Sequence, residues 1–280
     1  MDLEILKDMP PWDWPEDAGT MFLGILGDAH AKESDRLLAA ELAGDYTVIN
    51  DEIAEALLAI VCRNEETAEM RGTAALSLGV ALEHADTMGF EDDDDILLSE
   101  DVYHRIQQSL HQLFLDMDIP AEVHRQILEV SVRAPQAWHE EAVRSAYASN
   151  DEDWRLTAVF CMRFMRGFET QILEALNSDN LDMHYQAVCA AGNWGVDAAW
   201  SHIAALVTAP QTDKDLRLAA IDAVASIRPH AAIEVLADLM NSDDEDIADA
   251  VFEALTLAEG LSEYDDDDDD DDADDADQYV

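Results

Sequence analysis

Apolar residues recur at three- and four-residue intervals through most of the chain, the spacing that gathers them on one stripe of a helix. Between residues 151 and 225 that stripe belongs to a pattern found three times: Asp153-Trp154-Arg155-Leu156-Thr157-Ala158-Val159, Asp182-Met183-His184-Tyr185-Gln186-Ala187-Val188 and Asp215-Leu216-Arg217-Leu218-Ala219-Ala220-Ile221. Each copy opens on an acid, carries a basic residue two positions on, and sets a small-then-branched pair three and four positions after that. The slots at Arg155, His184 and Arg217 give a period of about 30 residues, within the range of helical arrays.

The pattern extends outward. Arg36 precedes Ala39-Ala40, Arg71 precedes Ala74-Ala75, His124 precedes Ile127-Leu128, and Ile247 takes the slot before Ala250-Val251. The steps between slots are 35, 53, 31, 29, 33 and 30 residues. Each slot lies on a predicted first helix that opens in turn-forming polar residues, such as Asn64-Glu65-Glu66, Ser149-Asn150-Asp151 and Asn241-Ser242-Asp243. These supply N-cap oxygens and set carboxylates where the helix dipole favours negative charge. Second helices are predicted near 51–62, 100–115, 136–148, 168–176, 197–208 and 230–240. Pro120, Pro135 and Pro229 fall at helix starts and Pro210 in a loop. Gly79, Gly167, Gly192 and Gly195 fall near predicted turns. No run alternates as a strand would, so the expected fold class is all-α.

The small residues Ala74, Ala158, Ala187, Ala220 and Ala250 let neighbouring helices approach, and Val159, Val188, Ile221 and Val251 fill the seam. Arg71, Arg155 and Arg217 are expected to pair with the acidic turns between repeats. The long step from 71 to 124 is expected to hold an acidic loop, Glu91–Asp95, as an insertion with a binding role. Residues 1–32 read as an N-terminal extension: an extended stretch packed by Trp12 and Trp14, then a capping helix over Glu16–Gly27. Residues 33–259 form the repeat array of about six full units and a terminal half unit. Residues 260–280, with the run Asp265–Asp272, are expected to be a disordered acidic tail.

The acid-x-basic-x-x-small-branched pattern resembles the HEAT-repeat family, and most of all the short HEAT-like repeats named after phycobilisome lyases. That resemblance implies a right-handed α-solenoid of stacked antiparallel helix pairs, in which each pair buries its apolar face against the next. HEAT arrays serve as scaffolds, adaptors, transport receptors and occasionally enzymes, so the resemblance implies a fold more than a function.

Charge narrows the classes. The chain holds 15 Lys+Arg against 64 Asp+Glu, a net charge of -49, which repels phosphate backbones and anionic membranes. It suits a basic partner, although a salt-rich cell interior selects the same surface for solvation alone. Cys62, Cys161 and Cys189 lie in apolar helical stretches and read as reduced, buried thiols of a cytoplasmic protein. The acidic start Met1-Asp2-Leu3-Glu4 is unlike a signal peptide, and no apolar run is long enough to span a bilayer.

No Walker A, GxGxxG, GxSxG or HExxH motif occurs, and the acidic loop lacks the ligand spacing of an EF-hand. His139-Glu140 is the only His-Glu pair, whereas the HEAT-type di-iron hydroxylases use several. His104 and His111, with Glu100 and Asp101, read as a solvated helix face rather than a metal site. Cys161 or Cys189 could handle a tetrapyrrole in a bilin lyase role, and a buried structural thiol is the plainer reading. No catalytic residue, cofactor or metal ligand is therefore assigned.

Six of the fifteen positive residues fall between 124 and 166 (Arg125, Arg133, Arg144, Arg155, Arg163, Arg166), interleaved with aromatics. In the HEAT arrangement, second helices line the concave side, which puts Trp138, His139, Arg144, Tyr147, Phe168, Gln171, Trp200 and His202 there. These residue types are frequent at binding hot spots. The expected function is a non-enzymatic scaffold or adaptor holding a protein or peptide with a basic patch, and neither nucleic acid nor membrane. The alternatives are an enzyme or enzyme subunit of lyase or hydroxylase type, marked by bound pigment or metal, and an acidic chaperone or nucleic-acid mimic acting through its tail.

Overall fold

Helix starts follow the polar turns. Asn50, Thr67, Asp151, Asn180 and Asp213 each accept a hydrogen bond from a backbone N–H in the turn they open, satisfying donors that a helix leaves unpaired. The computed structural model describes residues 3–28, 30–90 and 96–270, which are largely helical and include no strand. The helices are α1 (Leu3–Lys7), α2 (Ala18–Gly27), α3 (Glu33–Ala43), α4 (Asp51–Cys62), α5 (Ala68–Leu76), α6 (Gly79–Met88), α7 (Glu100–Phe114) and α8 (Ala121–Ser131). They continue as α9 (Ala137–Tyr147), α10 (Glu152–Cys161), α11 (Glu169–Ala175), α12 (Leu181–Asn193), α13 (Trp200–Thr208), α14 (Lys214–Ile227), α15 (Pro229–Leu236) and α16 (Glu245–Asp270). Short 3₁₀ turns occur at Pro11–Asp13, Asp197–Ala199 and Ala237–Leu239.

Two compact units divide the array expected over 33–259: Met1–Ser145 and Ala146–Val280. In the first, the helices that carry basic slots pack in the order α3, α5, α8, and their partners in the order α2, α4, α7. Helix α2 thus takes the place of a second helix, packing on α3 and α4. In the second unit, α10, α12, α14 and α16 pack one against the next, with α11, α13 and α15 each against the following slot helix. This is the architecture of an α-solenoid: repeated helix pairs burying their apolar faces on their neighbours.

The seam is close. A Cβ on Gly192 of α12 would lie 2.8 Å from the Ala223 Cβ of α14, and one on Gly44 would lie 2.6 Å from the Ser77 carbonyl oxygen. Ala74, Ala158, Ala187 and Ala220 are fully buried, as are Val159, Val188, Ile221 and Val251. Ala250, on the last slot helix, is part-exposed.

The basic slots do not pair as expected. Arg71 is buried and donates through Nε to the Val61 carbonyl at 2.8 Å. His124 Nε2 lies 2.5 Å from the Phe114 carbonyl, and Arg217 donates to the Ala209 carbonyl. These carbonyls end α4, α7 and α13, so the slot ties each first helix to the unpaired C-terminus of the helix before it. Arg155 approaches Met183 Sδ at 4.0 Å instead. The pairing with an acidic turn occurs at Arg36, held by both Glu66 oxygens at 2.8 and 2.6 Å.

Other departures are local. The long step holds a whole extra helix, α6, that opens at Gly79 instead of turning there; the acidic residues 91–95 lie outside the described residues. Leu3–Lys7 is helical rather than extended. Trp14 packs edge-on against Phe22 and donates to the Leu6 carbonyl at 3.0 Å, but Trp12 is 79% exposed and packs on nothing that would bury it. Cys62, the last residue of α4, is exposed, whereas Cys161 is buried and Cys189 half-buried. Helix α16 runs to Asp270, into the stretch expected to be disordered: once a helix is anchored by packing, each further residue adds a bond without a new nucleus. Residues 271–280 lie outside the described residues.

Candidate partner-binding surface

The eight residues expected to line one surface are divided between the units. In the first, Trp138 is half-buried, with its ring 4.7 Å from His111 in a near-parallel stack, 4.9 Å from Phe114 and 3.7 Å from His139. Its Nε1 donates to Gln136 Oε1 at 2.7 Å. His139 is 1% exposed, with Nε2 3.0 Å from Ser131 Oγ and Nδ1 accepting from the Gln136 backbone N–H at 2.9 Å. Burial holds its pKa down to about 4, opposed by the Gln136 backbone and assisted by His111. It is a neutral core histidine and cannot meet a partner. Arg144 is exposed and pairs with Glu140 one turn earlier at 3.1 Å.

In the second unit Phe168 is 1% exposed, a core residue at the start of α11 and likewise unavailable. Tyr147 is half-buried, its hydroxyl donating to the Gln171 carbonyl at 3.3 Å and Glu174 Oε2 at 3.2 Å. Burial, and then Glu174, push its pKa up. Trp200 is half-buried, with the Arg228 guanidinium 5.5 Å from its ring centre; Asp197 holds that guanidinium at 2.6 and 2.9 Å. The same Arg–aromatic contact recurs at Arg166 over Trp194, 4.7 Å away, and Trp194 Nε1 donates to the Met162 carbonyl at 2.7 Å. His202 Nε2 lies 2.9 Å from His184 Nε2 across α12 and α13. Burial lowers both pKa values, so one neutral ring donates and the other accepts.

Of the eight, Tyr147, Gln171, Trp200 and His202 therefore remain in the second unit as partly accessible residues on second helices. Metal-ligand geometry does not develop at His104 and His111: His104 lies 3.7 Å from Glu100, and His111 is occupied by its stack on Trp138. Among the described residues no three His, Cys, Asp or Glu side chains converge as ligands, and no helix is long and apolar enough to cross a membrane.

A further feature of this unit was not anticipated. Leu181 opens α12 and is 66% exposed. On one side of it a cleft of about 500 Å³ runs between α12 and α14, past Asp182, Tyr185, Asp215 and Leu218. On the other, a cleft of about 630 Å³ lies between α12, the end of α13 and the turn before α14, lined by His202, Ala205, Leu206 and Ala209. The signal for it stood in the repeat: Glu152 and Lys214 precede the motif in the flanking copies, and a leucine precedes it here.

Residues 169–256 match the family model described as HEAT repeats. Among solved structures, the chain is similar to the complex of CpcE and CpcF of phycocyanin lyase from Nostoc sp. PCC7120, at 15% identity and a TM-score of 0.46, covering 90% of this chain and 98% of that one. It is also similar to an engineered protein, at 16% identity and a TM-score of 0.37, covering 88% and 98%. None of the curated proteins matches it.

Proposed function

We propose that this chain, which carries HEAT repeats across residues 169–256, is a non-enzymatic cytoplasmic scaffold that holds a protein or peptide bearing a basic patch. The surface is the second-helix side of the unit 146–280, where Gln171, Trp200 and His202 stand on packed helices. The observation that carries the proposal is Trp200. It is an aromatic of the kind that dominates binding hot spots, half-buried and fixed beneath an Arg228 that Asp197 holds from the other side. A side chain already ordered loses little entropy on binding. The net charge of -49 supports a basic partner over nucleic acid or an anionic membrane.

The test is capture of partners from the native source by the full chain, with Trp200→Ala beside Arg144→Ala as a control in the other unit. Trp200→Ala should lose the partner set while far-ultraviolet circular dichroism and the melting profile stay those of a folded chain, and Arg144→Ala should keep it. Equal capture by both variants would remove Trp200 from the interface.

A further inference from the structure

We propose that the two clefts flanking Leu181 form a docking site for a short segment of a partner protein that carries two apolar side chains with Lys or Arg beside them. The inference rests on the scaffold reading but adds to it the edge of the unit where α12 and α14 begin, which shares His202 with the surface above.

The shape points to two anchors. Leu181, 66% exposed, stands as a ridge between the clefts, which share Leu181, Asp213 and Leu216. One cleft has Leu218 and Ala219 in its wall, the other Ala205, Leu206 and Ala209. An apolar side chain on each side of the ridge would cover leucine surface that the fold leaves in water.

Charge selects the flanking residues. Asp182, Asp213 and Asp215 line the clefts. Asp213 accepts the Asp215 and Leu216 backbone N–H groups. The cations nearest in sequence are engaged elsewhere: Lys214 holds Asp244 and Asp246 at 2.8 and 2.6 Å, and Arg217 donates to the Ala209 carbonyl. Arg163 reaches the same wall but donates to Gln186 Oε1 at 3.2 Å, which leaves the aspartates to a cation supplied from outside.

The chain itself does not supply one. Met1-Asp2, Ala29, Glu91–Asp95 and residues 271–280, which lie outside the described residues, carry no Lys or Arg. A second copy, at net charge -49, would meet the edge with like charge.

The experiment is fluorescence anisotropy on the full chain with three labelled peptides: one of paired leucines among arginines, one with those leucines replaced by serine, and one with those arginines replaced by glutamate. The first should bind, and either the serine peptide or Leu181→Ser should weaken binding roughly tenfold or more. Asp182→Asn with Asp215→Asn should weaken it mainly at low salt. Phe252→Ser, at a residue 72% exposed on α16, should change nothing. Equal binding of the serine peptide, or an unaffected Leu181→Ser chain, would overturn the proposal, since attraction to an acidic protein at large would then explain the signal. If partner capture depends on Trp200 while Leu181→Ser leaves the peptide titration unmoved, the docking site fails and the scaffold stands.

Discussion

Acid should cost the first unit stability through His139, and by a calculable amount. The ring is buried and neutral, with a pKa held down to about 4 chiefly by desolvation, against roughly 6.5 in an unfolded chain. Between those values the unfolded state binds the extra proton, so stability is fully present above pH 6.5 and falls as the pH drops toward 4. That depression corresponds to about 3 kcal/mol. Buried carboxyls act in the opposite sense: Glu129 and Asp222, whose pKa values burial raises, add stability as the pH falls. The histidine contribution must therefore be isolated by difference. His139→Gln keeps a hydrogen-bonding side chain beside Ser131 and removes the titration. Urea unfolding of both chains from pH 7.5 to 4 should give curves that diverge at high pH and converge by about 3 kcal/mol on acidification. Parallel curves would refute the reasoning, as would a His139 ring resonance titrating near its free value.

Other perturbations separate packing from display. Gly192→Ala gains about 1 kcal/mol of helix propensity but drives a Cβ to 2.8 Å from Ala223; overpacking of about 1–3 kcal/mol should win, giving a lower urea midpoint. Arg71→Met removes the donor to the Val61 carbonyl at 2.8 Å and should cost about 1.5–3 kcal/mol in the same assay. Trp138→Ala should lower the melting temperature clearly, since it empties the stack between His111 and His139, whereas Arg144→Ala, at an exposed residue with an i,i+4 pair to Glu140, should stay within about 0.5 kcal/mol. Glu66→Gln should flatten the acid limb, because Arg36 holds the Glu66 pKa down and that stability disappears as the pH falls through it.

The repeat was legible because its register is written in short-range chemistry. A small residue at the seam with a branched one beside it recurs in the copies at Arg155, His184, Arg217 and Ile247, and cap oxygens open several of the helices, from Asn50 ahead of α4 to Asp213 ahead of α14. What the slot residue binds was not legible. Its carbonyl partner lies eight to ten residues upstream, at Val61, Phe114 or Ala209, across a turn whose geometry the pattern does not encode. Helix α6 was hidden because an acidic stretch dominated the reading of that step. The candidate surface was legible only as a population of residue types. His139 and Phe168 carry the same composition signal as Trp200, yet lie inside, because helix phase and not residue type decides which face a side chain takes. Leu181 was passed over because one leucine in a polar slot stands out only when the three copies are aligned.

The most direct test of the account is hydrogen exchange of the full chain, free and saturated with the partner captured from its native source. Protection should appear along α11 and α13 and at the beginnings of α12 and α14, with the first unit unchanged. Protection confined to residues 3–145, or to the acidic residues beyond Glu259, would contradict it.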